Sequence, residues 1–175
     1  MKTNSILFFS LIVMLFVSCE PREVDLEPWK QLSLERTDYT GDKLRFDGCY
    51  YRDSYTGSTY GAYVFYYRNG VILSFLDNKG IKSLNEFTQT KYIDIRESCW
   101  WLYKISGDTI ISKKWDGFGE GYITSYKLIL NDSTFQRIKS YDSHTGITTT
   151  YDNEIYNMQF IKMYPRPDST NIFIK

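Results

Sequence analysis

The side chain in this sequence whose surroundings most clearly assign it chemistry is Cys19. It follows Lys2, an apolar run from Ile6 to Val17 interrupted only by Ser10, and the small residue Ser18. A positive charge, an apolar stretch, a small residue and then a cysteine is the order of an export signal that ends at a lipid-attachment site. The apolar run is twelve residues long, whereas a permanent helical span needs roughly 20. The chemistry expected at Cys19 is therefore lipidation of its thiol, with residues 1–18 removed as the signal.

The other reactive side chains do not assemble into a catalytic pattern. The single histidine, His144, lies in the turn Asp142-Ser143-His144-Thr145-Gly146. Nucleophilic catalysis needs a nucleophile and an orienting acid converging on such a base, and a turn histidine reads as a solvated loop residue. Carboxylates scatter from Asp47 to Glu154, mostly in or beside turns, where Asp supports the backbone. A glycosidase would need two of them about 5–9.5 Å apart, and nothing in the spacing singles out such a pair. Cys49 and Cys99 are fifty residues apart with no Cys-X-X-Cys pair, so the four-ligand spacing of structural zinc is missing. Outside the cytoplasm these two can form a disulfide, or each can stand alone as a buried thiol; both readings stay open. No phosphate-binding or calcium loop is present. The expectation is a protein without enzymatic activity, cofactor or metal.

What is unusual is the aromatic content, 18% of residues with 16 Tyr. Clusters stand at Tyr50-Tyr51, Tyr63-Val64-Phe65-Tyr66-Tyr67 and Trp100-Trp101-Leu102-Tyr103. Neighbours on a strand point to opposite faces, so half of each cluster can line one side. Phe65, Trp101, Tyr103, Tyr126 and Phe160 are the candidate lining of a concave site for a small apolar or glycan-like ligand, with Tyr hydroxyls as orienting groups. The competing reading is a core simply filled by large side chains.

These positions must be held by strands. Glu20 to Asp42 is polar, with Pro21 and Pro28, and residues 19–42 read as the lipidated N-terminus and a tether. From Lys43 the chain turns β-like through to residue 175. Expected strands cover about Lys43–Asp53, Thr59–Arg68, Val71–Asp77, Cys99–Ser106, Thr109–Trp115, Tyr122–Leu130, Thr134–Tyr141, Ile147–Tyr151 and Ile155–Met163. Asn69-Gly70 between two such runs is a strong hairpin signal, with positive φ expected at both turn positions. Gly107-Asp108 and Asn131-Asp132-Ser133 mark two more turns. Only Ile81–Ser98 carries helical spacing. Gly119 and Gly121 mark a loop. The expected fold is all-β: an antiparallel up-and-down barrel of about eight strands, or alternatively a two-layer sandwich.

The segment Phe16-Val17-Ser18-Cys19 resembles the lipobox of bacterial lipoproteins, in which the mature chain starts at the cysteine and its thiol carries a diacylglyceryl group. The whole chain resembles the lipocalin-like lipoproteins of unknown function found in Bacteroidetes. The residues that carry this likeness are the lipobox at Cys19, the strand Phe46-Asp47-Gly48-Cys49-Tyr50-Tyr51, the Asn69-Gly70 hairpin, Ile105-Ser106-Gly107-Asp108-Thr109-Ile110 and the tail Pro167-Asp168-Ser169-Thr170-Asn171. The Gly-X-Trp signature of true lipocalins is absent, since Cys49 and Tyr50 follow Gly48. The resemblance implies a small barrel held by lipid to the outer membrane of a bacterial envelope, facing the periplasm or the surface. Glu20, Glu23 and Asp25 resemble the acidic surface-export signals of such lipoproteins, and also suit a plain solvated linker. Expected partners are the membrane and either a small ligand or another envelope protein docked on a filled barrel. With 21 basic and 21 acidic residues, the chain lacks the basic excess of a nucleic-acid binder.

Overall fold

Tyr, Phe, Val and Ile recur at alternate positions through much of the chain, and such side chains suit a pleated surface. The computed structural model describes residues 25–52, 61–77, 97–116 and 120–175. They form a helix, α1 (Glu27–Ser33), and nine strands: β1 (Gly48–Arg52), β2 (Gly61–Tyr66), β3 (Val71–Asp77), β4 (Trp100–Ser106), β5 (Thr109–Asp116), β6 (Gly121–Ile129), β7 (Thr134–Asp142), β8 (Thr148–Asn157) and β9 (Gln159–Lys162). The strands make a single sheet in the order β8-β7-β6-β5-β4-β3-β2-β1-β9. Every neighbouring pair is antiparallel. The fold is all-β, up-and-down and barrel-like, and one curled sheet stands where a two-layer sandwich was the alternative.

Closure comes from the last two strands. β8 and β9 end the sheet on opposite sides, yet Met158 alone separates them in the chain. This one segment pairs with β7 along its first part and with β1 along its second. The sheet curls accordingly, for the rings of Tyr50 on β1 and Phe135 on β7 stand 5.3 Å apart at 81°. The expected hairpins join β2–β3, β4–β5 and β6–β7. At the first, only Gly70 takes a positive φ, +78°. Asn69 does not, and the Gly70 amide donates to the Tyr67 carbonyl at 3.1 Å. A Cβ on Gly70 would also lie 2.3 Å from the Thr37 carbonyl oxygen, so that position excludes a side chain twice over.

The sheet is apolar on both faces, which explains the aromatic content. Inside the curl pack Tyr50, Val64, Tyr66, Ile72, Tyr103, Ile110 and Phe135, with Trp101, Tyr156, Met158 and Phe160 against them. On the outer face lie Cys49, Tyr63, Phe65, Leu73, Phe75, Trp100 and Leu102. That face is covered by Trp29 and Leu32 of α1 and by Phe173 and Ile174 of the C-terminal tail, all buried. The tether expected over residues 19–42 therefore gives way from Glu27 onward. Proline suits the first turn of a helix, as Pro28 does here. The helix then places Trp29 and Leu32 one turn apart on one face. Cys19, the helix expected within Ile81–Ser98 up to residue 96, and Gly119 lie outside the described residues.

Candidate functional site

Strand alternation assigns each candidate pocket residue to a face. Trp101, Tyr103 and Phe160 belong to the interior cluster. Phe65 belongs to the outer one. Tyr126 pairs with Ile111 and Lys139 and borders an outer groove with Leu102, Lys104, Lys113 and Thr124. The structure thus brings three of the five together inside the sheet and puts Phe65 and Tyr126 on its other side. The reason lies in β6. Its side with Tyr122, Tyr126 and Leu128 is the more apolar, which suggests a core beneath it. With α1 and the tail covering the outer face, that side turns outward, and the side with Ser125 and Lys127 lines the interior.

The interior contains a cavity of about 240 Å³. Trp101, Tyr66, Phe135, Tyr156, Val64 and Met158 supply apolar walls, and Ser74 and Ser125 supply hydroxyls. Three cations also line it: Arg52, Lys127 and Arg137. These are the residues that reading from the sequence missed. Their one signal in the sequence is Lys127, a cation that shares a strand face with Ile123 and Ile129.

Two irregularities aim the cations. The β6–β7 register shifts next to Lys127, and the β7–β8 register shifts between Arg137 and Lys139. Ile138 is the extra residue against β6, whereas against β8 it stands opposite Tyr151, Asp152 and Asn153, so that the excess there lies on β8, and bulges of this kind re-aim their neighbours. As a result Lys127, Arg137 and Glu154 are direct cross-strand partners on β6, β7 and β8. Asn153, beside Glu154, takes a φ of +57°, a left-handed geometry that Asn tolerates better than most residues.

Neighbouring groups hold the charges in place. The Arg137 guanidinium stacks 3.9 Å from the Tyr151 ring centroid and lies 3.8 Å from a Glu154 oxygen. The Tyr156 hydroxyl donates to the other Glu154 oxygen. Arg52 stacks 4.2 Å over Tyr156. Burial pushes the Lys127 ammonium down to about 8, Arg137 and Arg52 add to the fall, and Glu154 opposes it. Burial likewise raises Tyr66, Tyr103 and Tyr156 well above the ordinary phenol range, with the Glu154 hydrogen bond adding to it at Tyr156. These phenols are neutral donors at physiological pH.

The remaining candidates lie elsewhere. His144 is exposed in its turn, where its amide donates to Asp142 Oδ1 at 2.9 Å. Cys49 and Cys99 are buried in the outer cluster with no disulfide between them. Burial pushes the Cys49 thiol up to about 11, away from a reactive thiolate. Among the described residues no group of three metal-binding side chains stands together. Compared with family models, with curated proteins and with solved structures, the chain finds no match in any of the three.

Proposed function

We propose that this protein is a lipid-anchored binding module of the bacterial cell envelope, whose barrel takes one small amphipathic molecule in its interior. The observation that carries the reading is the cavity of about 240 Å³ inside the curled sheet, with aromatic walls and convergent polar groups. Binding sites join apolar lining to a few placed polar groups in this way. A sheet filled by its own side chains would leave no such space. The anchor rests on the Lys2-to-Cys19 pattern, since two or more acyl chains hold a protein stably to a bilayer.

Native mass spectrometry of the full chain, released from membranes of its source cells, tests the binding role. A stoichiometric small-molecule adduct is expected, and its loss in Ser74→Trp, which fills the cavity, would tie it to the interior. A bare protein mass overturns the reading. For the anchor, Cys19→Ala should abolish incorporation of radiolabelled fatty acid; unchanged labelling would refute it.

A further inference from the structure

We infer that the Lys127 amine captures a small apolar aldehyde inside the cavity as a reversible imine, with the body of the aldehyde packed on Trp101. This deepens the proposed binding role and rests on it. Lys127 is half-buried on β6 and lines the cavity. Ile110 of β5 stands opposite it on one side and Arg137 of β7 on the other. An amine on a long stem is thereby set into a space walled by Trp101, Tyr66, Val64 and Met158. Among the described residues no hydrogen bond or ion pair engages its nitrogen. The carboxylate of Glu154, one strand further along the ladder, is held by Arg137 at 3.8 Å and by the Tyr156 hydroxyl.

An amine attacks a carbonyl carbon only as the free base. Two surroundings make a lysine nucleophilic near neutral pH, an apolar pocket and a neighbouring cation, and Lys127 has both. Burial lowers its value first, Arg137 and Arg52 add to the fall, and Glu154 opposes it, for a result of about 8. The cavity tyrosines, Tyr66 and Tyr156, are neutral in this range and do not alter that balance. At pH 7 about one Lys127 in ten is then the free base, against about one in three thousand for an ordinary lysine. In the reaction the nitrogen lone pair forms a C–N bond to the carbonyl carbon. The carbonyl oxygen takes both amine hydrogens and leaves as water, and a C=N bond remains. Amine and aldehyde give imine and water, with nothing oxidised or reduced. Ser74 and Ser125 line the same space and offer hydroxyl donors to the carbonyl oxygen. An aldehyde has one substituent on its carbonyl carbon, so it crowds the strand wall least among carbonyl compounds.

The test treats the full chain, in a non-ionic detergent at pH 7, with 1-naphthaldehyde and sodium cyanoborohydride, which traps an imine as a stable amine. Peptide mapping by mass spectrometry then locates the adduct. Lys127 should be alkylated at least tenfold faster than Lys104, which is exposed. Saturating 1-naphthalenemethanol, which has the same ring system and no carbonyl, should slow Lys127 at least tenfold and leave Lys104 unchanged. Without the trapping reagent, dilution should return unmodified protein. Lys127→Arg, which keeps a cation on β6, should lose the fast site. The mapping and the protection use the native chain, so the result does not depend on a variant that folds. If Lys127 reacts no faster than Lys104, the imine inference is overturned, and calorimetric binding of the alcohol would leave interior binding standing. If the alcohol neither binds nor protects, the interior-binding reading falls and takes the imine with it.

Discussion

Trp29 and Phe173, from opposite ends of the described chain, stand with ring centroids 5.1 Å apart and planes at 47°. They meet over the outer face of the sheet. Further contacts fasten the same clasp. The Lys175 amide donates to Ser33 Oγ at 3.1 Å, and the Tyr122 hydroxyl donates to the Pro28 carbonyl at 2.9 Å. Asn171 Oδ1 accepts the Phe173 and Ile174 amides at 2.9 and 2.6 Å, which turns the tail inward.

Trp29→Ala should therefore cost about 3–5 kcal/mol, the usual range for removing a fully buried large aromatic. Measured by urea unfolding, that is a large share of a typical domain's 5–15 kcal/mol. An unchanged midpoint would show that the clasp is dispensable.

Gly48 tests the closure of the sheet. A Cβ there would lie 1.9 Å from the Ile161 carbonyl oxygen and 2.9 Å from the Lys162 Cα. Both are backbone atoms of β9, which cannot give way as a flexible side chain can. Gly48→Ala should loosen the β1–β9 ladder and speed amide exchange in β9 by tenfold or more. Gly107→Ala is the control. No atom lies within 4 Å of its Cβ and its φ is +58°, so its cost should stay near 1 kcal/mol from backbone strain alone.

The strands and most turns were legible because each is a local matter. Alternation along Tyr122–Leu130 and the Asn69-Gly70 and Gly107-Asp108 turns carry their own signals. What could not be read was which face is inside. That depends on whether something covers the outer face, and the cover consists of Trp29 and Leu32 in a polar stretch and Phe173 and Ile174 in the tail. Single apolar residues in such segments look like linker. The misplacement of Phe65 and Tyr126 and the missed cations Arg52, Lys127 and Arg137 follow from that one omission. The Ile138 bulge, which brings Lys127 and Arg137 abreast, has no sequence signature at all.

The two buried cysteines give a chemical readout of the outer core. In a Cys19→Ala chain at neutral pH, neither Cys49 nor Cys99 should react with an aromatic disulfide reagent while folded. Cys49 is shielded and held protonated by burial, and Cys99 is 3% exposed. Both should react on unfolding in denaturant without reductant. Silence after unfolding would mean that the two are bonded to each other.

Lys127 makes the stability depend on pH in a direction that can be worked out. Its folded value lies at about 8, below the 10.5 of an ordinary lysine. Below about pH 8 folded and unfolded chains both hold the proton, and the penalty of a buried charge is felt in full. Between 8 and 10.5 the folded chain has released the proton and the unfolded chain has kept it, so stability rises with pH. Cys49 works in the opposite direction once an exposed thiol ionises near 9, and the buried tyrosines do so above about 10. The difference between the native chain and Lys127→Met isolates the lysine. Urea unfolding at pH 7 should show the variant more stable by about 1–3 kcal/mol, as expected when an apolar side chain replaces an uncompensated buried charge. The gap should close as pH climbs through 8 to 10. A gap that stays constant with pH would mean that the Lys127 ammonium is not desolvated.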